Sequence, residues 1–162
     1  MADDFGSGQA GGAAATPLLV NTHYIKDLSF ENPNAPVIYG ELHKGPSIDI
    51  TINVDVNHLQ DRLSEVVLEL QVNAKIEDQT VFLLELDFAG LATVGEDVSQ
   101  DEGDHLLLTE VPRLLFPFAR AVIGDLTRDG GFPPLLINPI DFEELYRSRQ
   151  ESDAQVAETG GA

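Results

Sequence analysis

Residues 47–57 read SIDITINVDVN. Ile48, Ile50, Ile52, Val54 and Val56 alternate without a miss with Asp49, Thr51, Asn53 and Asp55. An apolar residue at every second position sets one face of an extended chain against a core and leaves the other to water. A helix, with 3.6 residues per turn, would scatter the same side chains around its whole circumference. The chain therefore contains a half-buried strand, and such a strand needs partners on a sheet.

Three further segments supply them. Residues 64–76 place Val66, Leu68, Leu70, Val72, Ala74 and Ile76 on one side and Glu65, Glu69, Gln71, Asn73 and Lys75 on the other. Residues 79–90 place Phe82, Leu84, Leu86 and Phe88 opposite Val81, Leu83, Glu85 and Asp87. The short Glu77-Asp78 connection between them predicts an antiparallel hairpin. An earlier strand over 20–31 sorts Tyr24, Lys26, Leu28 and Phe30 to one face and Ile25, Asp27, Ser29 and Glu31 to the other. It stops at Asn32-Pro33-Asn34-Ala35-Pro36, because proline has no ladder donor and restricts the residue before it.

The second half of the chain changes period. After an acidic loop at 95–104, Leu107, Val111, Leu114, Leu115, Phe118, Val122 and Leu126 recur at helical spacing from about Asp104 to Arg128. Pro112 and Pro117 interrupt that stretch. Each costs about 3 kcal/mol inside a helix, so a kink or two segments is expected. RDGGFPP at 128–134 ends it by glycine punctuation. A second helix begins near Asp141, with Glu144 three residues on as in a capping box. Phe142, Leu145 and Tyr146 form its apolar stripe, and Arg147 and Arg149 suit its C-terminal end. Four strands followed by two helices read as an α+β fold: a four-stranded antiparallel sheet with two helices packed on one face. One domain over 17–149 is expected, flanked by a disordered Gly/Ala-rich tail at 1–16 and a disordered acidic tail at 150–162.

With the aliphatic faces turned inward, the outer face collects Asp27, Glu31, Asp49, Asp55, Glu65, Glu69, Glu85 and Asp87, with Lys75 as its one basic residue. Val67, Val81 and Leu83 add apolar patches. A solvated face ordinarily mixes both signs, so one-sign charge with apolar patches favours a docking surface. The whole chain carries a formal charge of −19. That excess argues against nucleic acid and anionic membrane, and it favours basic partners. No apolar run approaches the ~18 residues of a membrane span, and no positive leader precedes Lys26. Direct membrane insertion is not expected, and the cytoplasm is the expected location.

Catalytic patterns are thin. With no cysteine in the chain, disulfides, thiolate metal sites and a cysteine nucleophile are excluded. Gly6-Ser7-Gly8-Gln9-Ala10-Gly11 fits G-x-G-x-x-G but follows no strand. Residues 97–110 fail as a calcium loop, with Glu102 where glycine is needed and Leu108 where glutamate is needed. His23, His43, His58 and His105 show no metal-ligand spacing. No enzyme, metal or cofactor is expected. The aromatics Phe116, Phe118, Phe132, Phe142 and Tyr146 cluster late in the chain around the helices, and two amphipathic helices over a four-stranded sheet give a large apolar area for one small domain. Self-association or a ligand is expected to cover part of it.

Four stretches carry a family resemblance: YIKDLSFENPNAP (24–36), SEVVLELQVNAKIEDQTVFLLEL (64–86), LFPFARAVIGDLTRDGGFPPL (115–135) and NPIDFEELY (138–146). Together they resemble SecB, the protein-export chaperone family, in the family's order and over nearly all of 20–147. The resemblance implies a cytoplasmic homotetramer, a dimer of dimers. It implies a holdase that binds unfolded precursor proteins without ATP and hands them to the SecA motor. It carries SecA binding onto Asp27, Glu31, Leu83 and Glu85. Client binding in hydrophobic grooves falls on Ile48, Ile50 and Ile52, with Phe142 and Tyr146 as further candidates. Oligomer assembly falls on Leu84, Leu86 and Phe88. An alternative within the same fold is a SecB-like chaperone devoted to one client, such as a toxin–antitoxin partner. The motor-binding set favours general export.

Overall fold

A computed structural model describes residues 16–160. Of the expected N-terminal tail, only Thr16 is among them, and the glycine motif at 6–11 lies outside. Strands β1 (Leu18–Glu31), β2 (Ser47–Gln60), β3 (Leu63–Ile76) and β4 (Gln79–Val94) precede two long helices, α1 (Gln100–Asp129) and α2 (Phe142–Thr159). A 3-10 helix, Val37–Lys44, follows the proline-rich turn after β1. The strands form one antiparallel sheet in the order β1-β4-β3-β2. The β3–β4 hairpin is thus the centre of the sheet, and β1 and β2 are its edges.

Alternation decides which face is buried. Val66, Leu68, Leu70 and Val72 of β3 and Leu84, Leu86 and Phe88 of β4 form one cluster with Leu107, Val111, Leu115, Ala119 and Ile123 of α1. The helix lies close on the sheet: a Cβ added at Gly90 would stand 2.9 Å from a Leu115 methyl. α2 packs chiefly on α1, through Phe142, whose ring meets Phe116 edge-on.

Several expectations need correction. α1 runs as one helix through Pro112 and Pro117, so of the two alternatives the split into two segments does not hold. Each proline costs about 3 kcal/mol, but burial returns about 1.5–3 kcal/mol per large aliphatic side chain, and Leu107, Val111, Leu115 and Ile123 all contribute. The helix also begins at Gln100, ahead of the expected Asp104. Ser99 caps it: its side chain accepts from the Glu102 N–H, and the Glu102 carboxylate accepts from the Ser99 N–H. The acidic stretch at 95–104 is therefore partly helix. α2 starts as expected, with Asp141 Oδ1 accepting from the Glu144 N–H at 3.0 Å. It then runs to Thr159, through much of the segment expected as a tail, so Arg147 and Arg149 sit inside it. Leu114 and Phe118 lie on the exposed side of α1. Val81 is fully buried in the core cluster, so it adds no apolar patch to the outer face.

Candidate functional site

The outer face of the sheet, opposite α1, is shaped by a bulge in β1. Its register with β4 slips between Ile25, which pairs with Phe88, and Asp27, which pairs with Asp87. A bulge inserts one residue and re-aims the strand beyond it. The slip puts Ile25, Leu28 and Phe30 on the helix side and Tyr24, Asp27, Ser29 and Glu31 on the outer side. Lys26, the inserted residue, turns outward as well. Strict period-2 counting places Tyr24 and Lys26 with Leu28, and the bulge corrects it. The outer face accordingly carries a second basic residue beside Lys75.

Glu65 of β3 gathers the consequences. The Tyr24 hydroxyl donates to Glu65 Oε2, and Lys26 Nζ stands 2.6 Å from Oε1. Asn57 Nδ2 donates to the same Oε1 at 3.2 Å. The Lys26 bond, followed by the Tyr24 bond, holds the Glu65 carboxyl below its ordinary range. Tyr24 is pushed up to about 12, by partial burial first and then by the bond to Glu65 and its charge. Asp87 has the opposite environment. Partial burial, then Glu69, Asp27 and Glu85, push its carboxyl upward, with Lys26 opposing.

The four residues carried over for SecA binding come together on this face. Asp27 pairs with Asp87, Ser29 with Glu85, and Glu31 with Leu83. Glu31, Leu83 and Glu85 line a concavity of about 320 Å³ that extends over Asn73 to Asp49 and Thr51. Asp27 lies beyond it, among Asp87, Glu69 and Glu85.

The helix side of β2 is the second surface. Ile48 and Ile50 are 40% and 37% exposed, Ile52 is half-buried, and Val54 is buried. α1 does not cover the first two. Tyr146 joins Val54, Leu108, Leu145 and Arg149 around a cleft of about 310 Å³. The Tyr146 ring meets His105 edge-on, and its hydroxyl accepts from Gln150 Nε2 at 2.7 Å. Phe142 does not belong to this surface. It is 4% exposed, because its ring closes the contact between α1 and α2.

Leu84, Leu86 and Phe88 are likewise not a contact surface of this chain. They lie beneath α1, and Leu86 is 1% exposed. The large apolar residues left half exposed on that helix are Leu114 and Phe118, the latter with one face of its ring stacked on His23 at 4.3 Å. The spacing of the α1 apolar residues contains both, but it does not distinguish the two flanks of a wide apolar arc.

Among the described residues no three His, Asp or Glu side chains gather to hold a metal ion. No helix there is long and apolar enough to cross a membrane. The histidines are engaged singly: His105 Nε2 lies 2.9 Å from Glu143 Oε2, and His58 Nδ1 lies 2.9 Å from Ser64 Oγ.

The family profile described as preprotein translocase subunit SecB matches residues 12–153. The protein-export protein SecB of Rhodospirillum rubrum is 46% identical, over 93% of this chain and 94% of its own. That of Paramagnetospirillum magneticum is 48% identical over 85% and 89%. That of Rhodospirillum centenum is 40% identical over 96% and 93%. Among solved structures, a SecB-like chaperone of Mycobacterium tuberculosis, in complex with a peptide from the HigA1 antitoxin, superposes with a TM-score of 0.66. It covers 76% of this chain and 91% of that one at 19% identity, so the likeness is one of fold.

Proposed function

Because the chain belongs to the SecB family, whose members are protein-export chaperones and not enzymes, we propose that it holds unfolded precursor proteins without ATP and passes them to the SecA motor. The observation that carries this reading is the division of one sheet into two unlike surfaces. On the helix side, Ile48 and Ile50 are bare beside the cleft that contains Tyr146. Such a strip suits exposed apolar segments of an unfolded chain, and binding the unfolded state opposes folding by mass action. On the other side, Asp27, Glu31, Leu83 and Glu85 lie in a field of carboxylates that suits a basic docking partner. That partner is SecA. The working form is a cytoplasmic homotetramer, a dimer of dimers, and exposed Leu114 and Phe118 supply it with apolar contact area. A chaperone devoted to one client has no need of the motor-binding set, which favours general export.

The test is refolding of a slow-folding precursor in the absence of nucleotide. Added protein is expected to delay refolding in proportion to its concentration. An unchanged refolding rate overturns the reading.

A further inference from the structure

His23 stands on the helix side of β1, two residues before Ile25. Its ring stacks on Phe118 of α1 at 4.3 Å and tilts over Phe88 of β4 at 5.7 Å. The residue is otherwise exposed. Beside it, Ile25, Phe118 and, one turn before Phe118, Leu114 are each about half exposed. Among the described residues, no ionisable side chain faces the ring. On β1, Tyr24, Lys26 and Asp27 turn to the outer face, as do Glu85 and Asp87 on β4. The β4 residue paired with His23 is Gly90. On α1, residues three and four away from Phe118 share its flank, and they are Leu114, Leu115, Ala121 and Val122. The next charged residue along that flank is Asp125, about 10 Å from Phe118 along the axis, and it pairs with Arg128 at 3.4 Å. Toward the other end, Glu110 pairs with Arg113 at 2.6 Å. Arg120 lines a separate hollow with Pro134 and Leu136.

We propose, building on the tetramer reading, that this face meets a second copy of the chain and that His23 makes the contact acid-sensitive. A chain with a formal charge of −19 repels its own copy wherever carboxylates face each other. Around His23 none do, so two copies can close here without that repulsion. A neutral imidazole is covered together with Ile25 and Phe118 at little cost. Histidine is the side chain type whose charge changes between about pH 5 and 8. Once protonated, the ring needs water or a carboxylate. In the separated chain it has water. Under a second copy it has neither. The separated chain therefore binds the proton more tightly than the assembled one does, and acid drives separation. Contact between identical patches brings one His23 from each copy into the interface, which doubles the proton uptake. The direction of the effect sets it apart from the general charge of the chain. Neutralising carboxylates with acid weakens repulsion between copies and favours assembly, whereas His23 acts the other way.

Sedimentation of the full chain over a dilution series, at about pH 7.5 and about pH 5.5, tests the switch, with far-ultraviolet circular dichroism recorded on the same samples. The unaltered chain is expected to dissociate on acidification, its dissociation constant rising about tenfold or more, with its helix signal retained. His23→Phe keeps a stacking ring, and His23→Gln keeps a neutral polar side chain. Neither takes up a proton, and both are expected to remain assembled to the same extent at the two pH values. If one variant fails to fold, the other decides alone. Acid dissociation as large in a folded variant as in the unaltered chain assigns the proton to another group and overturns the switch. Dissociation accompanied by loss of the helix signal is unfolding and overturns it too. An unaltered chain equally assembled at both pH values overturns the switch and leaves the assembly standing. A small species at both pH values overturns the assembly reading along with the switch.

Discussion

Lys26 on β1 reaches over β4 to Glu65 on β3, with 2.6 Å between Nζ and Oε1. One ion pair therefore spans three strands of the outer face, and it exists because the β1 bulge turns Lys26 outward. Its neighbours on that face are almost all carboxylates.

Asp87 carries the cost of this crowding. Its native carboxyl is pushed up by partial burial and by Glu69, Asp27 and Glu85. The folded chain thus holds that proton more tightly than the unfolded chain does. The resulting stabilisation is complete below the ordinary carboxylate range and is lost as pH rises through the native value. Asp87→Asn is expected to raise stability at neutral pH by about 0.2–1 kcal/mol after solvent screening, and to do nothing at acid pH. Urea unfolding at both pH values checks this, and an equal gain at both would contradict it.

Glu65 behaves in the opposite sense. Its carboxyl is held low by Lys26 and Tyr24, so its contribution is present above the ordinary carboxylate range and is lost as pH falls through the native value. Tyr24→Phe should remove part of it, by less than about 1 kcal/mol at this partly exposed site. The same substitution should abolish the component near 12 in an alkaline ultraviolet titration of the tyrosines. Survival of that component would assign it to another tyrosine.

Two apolar substitutions should separate holding from folding. Ile48→Asp with Ile50→Asp changes exposed side chains, and is expected to abolish the delay of client refolding while leaving the melting temperature nearly unchanged. Leu86→Ala empties a fully buried position and should cost about 2–5 kcal/mol in unfolding free energy. Circular dichroism melts run beside the refolding assay distinguish the two.

For the motor, Asp27→Asn combined with Glu85→Gln is expected to weaken SecA binding and to leave client holding intact. Calorimetry at low salt measures the first, and unchanged affinity there would remove these residues from the docking surface.

Assembly is expected to depend on the free side of α1. Leu114→Lys with Phe118→Lys puts charge where two half-exposed apolar side chains stand, the second of them stacked on His23. Light scattering should show a species well below four times the 17.6 kDa chain mass, with helix content retained. A full-sized particle would move the contact elsewhere.

The fold was legible where alternation was strict. β2 and β3 follow period 2 through their full apolar runs, and the acidic outer face followed from that. β1 was not legible in the same way, because one inserted residue at Lys26 exchanges the faces of Tyr24 and Ile25. A count from one end cannot detect the slip. The start of α1 was written in Ser99 and Glu102, three residues apart, ahead of the apolar spacing. The last turns of α2 carry no apolar stripe, yet Gln, Glu and Ala there are sound helix formers, so a polar composition was compatible with helix. The buried position of Phe142 and the place of Arg149 at the cleft depend on where α2 lands, which local sequence does not encode.

The strand order also sets a schedule. Glu31 at the end of β1 pairs with Leu83, 52 positions later. On a ribosome adding about 5–20 residues per second, β1 emerges first and waits roughly 3–10 s for the strand it needs. β2 and β3 can meanwhile pair as successive neighbours. A waiting strand is a hazard to every other nascent chain nearby. β1 spends that interval carrying Lys26, Asp27 and Glu31 and the means to bulge twice, devices that discourage pairing with strangers. The irregularities that hide β1 from a period-2 count are thus suited to guarding the chain before it has a fold.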